Sequence, residues 1–193
     1  MNVKKLLIAP LFTIAFLSFK PVDKKIIIID AGHGGNDLGA SYDGISEKQI
    51  VLAVASNIKK ISNSQDHYEI VLTRDSDNSS SLNERTDMIN KLNPEMVISL
   101  HMNRSPEKES KRKGHEIFTQ NSDASKALAG KISKKLGDCN IQEKDLHILR
   151  ESKAPAVLVE LGFLNNKDDR QYLSSEAGQK EVAQKFTEII TEK

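Results

Sequence analysis

A single α/β domain, with a mostly parallel central sheet and helices on both faces, is the fold class this sequence predicts, and three observations predict it. Short apolar runs rich in β-branched residues alternate with longer stretches of helical spacing. Their order, strand, helix, strand, helix, strand, is the one that right-handed crossovers build into a parallel sheet. The length, 193 residues of which 38% are hydrophobic, suits one core and not two. A charged fraction of 28% makes the chain too polar for several membrane spans. Lys and Arg number 28 against 27 Asp and Glu, so no basic excess is available for counterion release, and nucleic acid is not an expected partner. The one cysteine, Cys139, excludes an internal disulfide and any multi-thiolate zinc site, and is read as an exposed loop thiol.

From the amino end, Lys4 and Lys5 precede an apolar run over 6–19 that only Pro10, Thr13 and Ser18 interrupt. A spanning helix needs roughly 20 apolar residues, so the pattern fits a secretory signal better, and Lys20-Pro21 ends it. Residues 1–22 are therefore expected to be a signal peptide or short anchor, and 24–193 the folded domain. Apolar runs at 26–29, 70–73, 96–100, 116–119 and 156–161 read as buried strands. Helical spacing appears in Ile50, Val51, Val54, Ile58 and Ile61, and again in Leu82, Met88, Ile89 and Leu92, with further helices expected over about 124–136 and 177–190. Ser46-x-x-Gln49 and Ser81-x-x-Glu84 carry the capping-box spacing, and Gly137 supplies a stop. The basic stretch 104–113 reads most simply as a solvated loop, with contact to an anionic polymer as the alternative.

In such a sheet, ligands bind beyond the carboxyl ends of the strands. Three chemistry-bearing segments fall there: Asp30-Ala31-Gly32-His33-Gly34-Gly35, His101-x-Asn103, and Glu160 within Val157-Leu158-Val159-Glu160-Leu161. His33 among glycines suggests close approach to something, although a loop histidine or a histidine at the sheet mouth can be structural. Glu160 in an apolar strand loses hydration unless a cation or a proton compensates, or unless the strand is an edge facing water. Two imidazoles and a carboxylate make a catalytic zinc set with an open position, which calls for a third ligand. Glu47, at the start of the first helix, is the choice; by position alone it also fits a first-turn glutamate favoured by the helix dipole.

With these segments assembled, the sequence resembles the zinc-dependent N-acetylmuramoyl-L-alanine amidases of bacterial cell walls, amidase type 3. The resemblance is carried by residues 29–40, Glu47, Leu72-Thr73-Arg74-Asp75, Glu84-Arg85, Ser99-Leu100-His101-Met102-Asn103 and residues 155–164, in the family's order. It implies one zinc ion bound by His33, Glu47 and His101, with Glu160 as the catalytic glutamate. Glu160 would then act as general base and acid on zinc-bound water, cutting the amide between N-acetylmuramic acid and L-alanine in peptidoglycan. An exported, monomeric enzyme of the periplasm or cell envelope is implied, with any activator left open. Ala31 stands where the family usually has proline, and Leu100 and Met102 differ from its usual neighbours of the histidine. Asn103 is expected to orient His101 or the substrate.

The long insertion that covers the active site in some members has no counterpart in the short segments 119–123 and 137–146, so an open cleft is expected. No stretch before Lys24 or after residue 193 suggests a separate wall-binding domain. His67, His115 and His147 are read as structural or exposed. Two other readings compete: a zinc hydrolase cutting a peptide bond of the stem, and an inactive wall-binding module, which would have lost a ligand or the glutamate.

Overall fold

Continuous apolar runs mark strands covered on both faces, and those at 26–29, 96–100 and 156–161 lie in the middle of the sheet. The computed structural model describes residues 24–62, 67–137 and 139–192; the expected signal segment over 1–22 lies outside them. In chain order the elements are β1 (Lys25–Ala31), a small hairpin of β2 (Ser41–Tyr42) and β3 (Ile45–Ser46), α1 (Glu47–Ser62), β4 (Tyr68–Leu72), α2 (Leu82–Leu92), β5 (Met96–Asn103), β6 (Glu116–Thr119), α3 (Asp123–Leu136), β7 (Asn140–Glu143), α4 (His147–Glu151), β8 (Ala156–Phe163), α5 (Lys167–Ser174) and α6 (Glu176–Thr191). All five expected strands and all four expected helices are present, within a few residues of their anticipated ends.

The six-stranded sheet has the order β4-β1-β5-β8-β6-β7. β4, β1, β5 and β8 are mutually parallel, whereas β6 runs antiparallel to β8 and carries β7 parallel to itself. The reversal goes with the path of the connection that precedes it. A parallel return needs a long crossover, usually helical. The connection from β5 to β6 instead stays at the carboxyl edge, gripped by two buried amides. Asn165 donates to the carbonyls of Ser105 and Glu107 (3.1 and 2.7 Å), and Asn166 donates to that of Ser110 at 2.9 Å. The basic stretch is thus a pinned loop with outward-facing cations.

Helices cover both faces. α1, α3 and α6 pack on one through Val51, Val54, Ile58, Leu128, Ile132, Phe186 and Ile190, and α2 and α4 pack on the other through Ile89, Ile148 and Leu149. Fully burying one such side chain contributes about 1.5–3 kcal/mol. The Ser81 box forms as expected: its hydroxyl accepts from the Glu84 amide at 3.2 Å, and Glu84 accepts from the Ser81 amide at 2.7 Å. At Ser46 the hydroxyl donates to the Gln49 side chain at 3.0 Å, while the Glu47 and Lys48 amides are taken by the carbonyls of Ala40 and Leu38. Gly137 closes α3, its amide donating to Ser133 O.

Candidate metal centre

Alternation along a strand puts Asp30, Ser99, His101, Leu158 and Glu160 on the α2–α4 face, and register sets His101 beside Glu160 and Glu160 beside Glu116. His33 leaves β1 into a left-handed conformation, φ 61°. A non-glycine residue holds that conformation only when its surroundings fix it. Two buried arginines do so. Arg85 donates to His33 O (2.5 Å), Ala31 O (2.8 Å) and Asp30 Oδ1 (2.7 Å). Arg74 donates to Ala31 O (2.9 Å), Gly32 O (2.8 Å) and Lys48 O (2.9 Å).

Glu47 begins α1 only 3% exposed. Its Oε1 lies 3.0 Å from His33 Nε2 and 2.9 Å from His101 Nδ1, and accepts the Met102 amide at 2.9 Å. Its Oε2 accepts the Ala40 amide at 2.7 Å. One donor atom from each of His33, Glu47 and His101 lies within 4.8 Å of the others, and the two rings meet edge to face with centroids 4.9 Å apart. The backbone is cut to fit. A Cβ on Gly32 would stand 2.3 Å from His101 Cε1, and one on Gly39, already at φ 64°, would stand 2.4 Å from Glu47 Oε2. Gly32→Ala is therefore expected to displace the His101 ring and lower the affinity of the cluster for a divalent metal by more than tenfold without unfolding the chain, as read by chelator competition alongside circular dichroism.

The protonation pattern follows from these contacts. Burial alone would push Glu47 up, but hydrogen bonds from His101 and His33 outweigh it and pull the carboxyl down to about 2. The Glu47 hydrogen bond raises His33 to about 9. A divalent cation displacing that proton would keep positive charge opposite the Glu47 carboxylate and add one unit to it. His33 Nδ1 meets Asp37 Oδ2 at 2.8 Å, the carboxylate–histidine arrangement that leaves Nε2 to a metal. Two imidazoles and one carboxylate, with no thiolate, fit zinc with an open position.

Glu160 is different. Burial pushes it up to about 7, opposed by His101 and reinforced by Glu47 and Glu116. Its Oε2 is buried with no hydrogen-bond partner. Asn103 does not reach His101: its Nδ2 donates to Glu116 Oε2 at 2.7 Å, and Arg112 holds the other oxygen of Glu116 at 2.5 Å. Glu116 went unremarked in the sequence because its place beside Glu160 depends on an antiparallel register. Asp37, Arg74 and Arg85 were visible as motif residues, though not as supports.

Beneath the site, burial alone would raise Asp30, but the Arg85 charge and hydrogen bonds from Ser99 and Thr73 hold it below the ordinary carboxylate range. Breaking a buried pair by removing one partner costs about 3–5 kcal/mol. Arg85→Met is expected to destabilise the protein by about 3 kcal/mol, roughly 10 °C in Tm. Because the folded pKa of Asp30 is depressed, its contribution is full above about pH 4 and is lost as pH falls through the lower folded value. Urea melts at neutral pH and in acid check both points.

The remaining histidines divide. His67 is exposed in a turn, and His115 is lowered by burial with an unpartnered Nδ1. His147 is not bland: with Leu146 and Ile148 it lines the same cleft as His33 and His101. Segment 137–146 therefore contributes cleft wall at its end, and no side chain of 119–123 or 137–146 joins the ligand cluster among the described residues. Cys139, expected to be exposed, is half-buried against the core.

Comparison with known proteins agrees with this geometry. The family model for N-acetylmuramoyl-L-alanine amidase matches residues 27–192. The endolysin of Bacillus phage SPP1 is 33% identical over 177 residues, covering 87% of this chain and 65% of the phage protein. The amidase CwlM of Bacillus licheniformis is 32% identical over 155 residues, covering 78% and 61%. The chain thus spans less than two thirds of the length of either relative. The catalytic domain of CwlV, an N-acetylmuramoyl-L-alanine amidase from Bacillus (Paenibacillus) polymyxa var. colistinus, superposes with a TM-score of 0.81 at 35% identity, covering 87% of this chain and 97% of that one.

Proposed function

The chain belongs to the N-acetylmuramoyl-L-alanine amidase family, and from that premise we propose that it hydrolyses the amide joining N-acetylmuramic acid to L-alanine in peptidoglycan. His33, Glu47 and His101 hold one zinc ion in this reading, and Glu160 moves the proton. The observation that carries it is the cluster at the carboxyl edge of the sheet: three donors, with both histidines converging on Glu47, and one strand away Glu160, whose buried Oε2 has no partner. The competing inactive module finds no support, since all four groups are present.

Bound there, a zinc ion supplies a Lewis acid for the scissile carbonyl and makes a water acidic enough to attack at neutral pH. Glu160, near pH 7 in its titration, accepts the proton of the attacking water and returns it to the alanine nitrogen as the C–N bond breaks. The products are a lactyl carboxylate and a free L-alanine amine. Asp37 holds His33 in the tautomer that offers Nε2 outward, and Glu116, fixed by Asn103 and Arg112, keeps a negative neighbour beside Glu160. Residues 1–22 direct export in this reading, and the enzyme works as a monomer in the periplasm or cell envelope.

Hydrolysis of a defined muramoyl peptide in heavy-oxygen water tests the bond directly. One label is expected in the lactyl carboxylate, with alanine released unlabelled. Label within the peptide would move the cut to a stem peptide bond.

A further inference from the structure

Lys48 follows Glu47 directly in the chain, and its side chain is only 11% exposed. Lysine is almost never buried so far unless it is paired, and the hydrolytic step makes no use of this one. Its amine donates to Gly35 O and to Asp77 Oδ2, both at 2.7 Å. The other oxygen of Asp77 accepts the Gly35 amide at 2.9 Å. One amine and one carboxylate thus close a ring on Gly35, taking both of its backbone polar groups, two residues beyond His33.

The turn that carries His33 needs such holding. His33, Gly34 and Gly35 stand at φ 61°, 127° and 59°, and three successive residues at positive φ persist only where their surroundings fix them. Before His33, Arg74 does this by joining Gly32 O to Lys48 O, at 2.8 and 2.9 Å. After His33, the Lys48 amine does it at Gly35 O. Both ends of the turn are therefore tied to one residue, and that residue is the covalent neighbour of Glu47. Ser79, from the same loop as Asp77, adds a hydroxyl donated to Gly34 O at 3.3 Å.

The His33 and Glu47 side chains themselves meet through one contact, Nε2 to Oε1 at 3.0 Å. A nitrogen lone pair given to a cation cannot also serve a hydrogen bond, so that contact stops setting their spacing once a metal lies between them. The bonds that remain are those that bypass the ligand atoms. We propose that Lys48 and Asp77 are positioning residues for the metal centre: they form a strap that fixes the His33 turn against the start of α1 and so keeps His33 and Glu47 at the separation a metal needs. This inference rests on the zinc reading given above. As an ordinary ion pair the strap would matter little, because Asp77 is 56% exposed and such pairs contribute little to stability.

The test uses the full chain, with Zn²⁺ affinity read by chelator competition and Co²⁺ as a coloured probe of coordination geometry. Asp77→Ala and Lys48→Met are each expected to lower Zn²⁺ affinity about tenfold, the low end of the range for groups that support a ligand set, and to alter the visible Co²⁺ spectrum. The double variant is expected to lose no more than the larger single loss, because either change opens the same ring. Asp77→Ala, at an exposed position, keeps the fold, and its metal-free Tm is expected to fall by no more than about 3 °C. Wild-type Zn²⁺ affinity and Co²⁺ spectrum in both variants would overturn the strap and leave the zinc centre standing. Losses that multiply in the double variant would make the two side chains independent and overturn it too. A wild-type chain that takes up no Zn²⁺ would remove the zinc reading, and the strap with it.

Discussion

Glu160→Gln is expected to lower kcat by about 10³-fold, within the range for a positioned proton-transfer group, while metal affinity stays at the wild-type level. The substitution preserves volume and removes only the proton acceptor. Nothing in the native fold depends on that oxygen, because Oε2 has no partner to lose, so Tm is expected to stay close to wild type. The pH profile carries a second signature. Proton acceptance needs the carboxylate form, so the wild-type kcat/KM falls as pH drops below the titration of Glu160, at about 7 without a cation and lower beside one. That acid limb disappears in the glutamine variant. Single-turnover kinetics across pH, metal analysis and thermal melting together read these four quantities. A fall of less than tenfold would mean that another group carries the proton, and Glu116, one strand away in register, would be examined next.

The second large effect belongs to Glu47. Its carboxylate receives two backbone amides and faces both imidazoles, and it is almost wholly buried. Glu47→Ala removes the one anionic donor of the cluster and leaves the Met102 and Ala40 amides without acceptors. Losing a partner outside the ligand set typically costs 10–100-fold in metal affinity, so losing a ligand is expected to cost at least 100-fold, with activity absent at stoichiometric zinc. Each stranded buried donor costs about 1–3 kcal/mol, so the variant also melts earlier even without metal. Chelator competition measures the first effect and thermal melting the second. An unchanged zinc affinity would remove Glu47 from the ligand set.

Much of this was legible in the chain. β1, β5 and β8 are continuous apolar runs because both of their faces are covered, and burial on both sides is what such runs encode. The long helices announced themselves through apolar stripes, and Ser81 and Gly137 marked ends by chemistry that acts within a few residues. What escaped notice depended on less. β7 is exposed along its whole length, α4 has five residues, and α5 buries only Leu173, so none carries a period to read. The reversal of β6 is decided by amides at Asn165 and Asn166, some sixty residues from the loop they hold. At the site, the glycines around His33 and the carboxylate inside β8 were conspicuous against their surroundings. Glu47 was harder, because a first-turn glutamate is ordinary, and only the packing of α1 against the end of β5 brings it between two histidines. The roles of Arg85 and Arg74 could not be read, since they bond backbone carbonyls that a sequence does not display. His147 belonged to a segment too short to suggest that it lines a cleft.

In the mechanism proposed, zinc at His33, Glu47 and His101 and proton transfer by Glu160 together cut the muramoyl–alanine bond. The most direct measurement is the release of new L-alanine amino termini from purified peptidoglycan by the zinc-loaded chain, run beside chelated protein and Glu160→Gln. Alanine termini are expected with the first and none above background with the other two. Termini of any other residue, or alanine release that survives chelation, would contradict it.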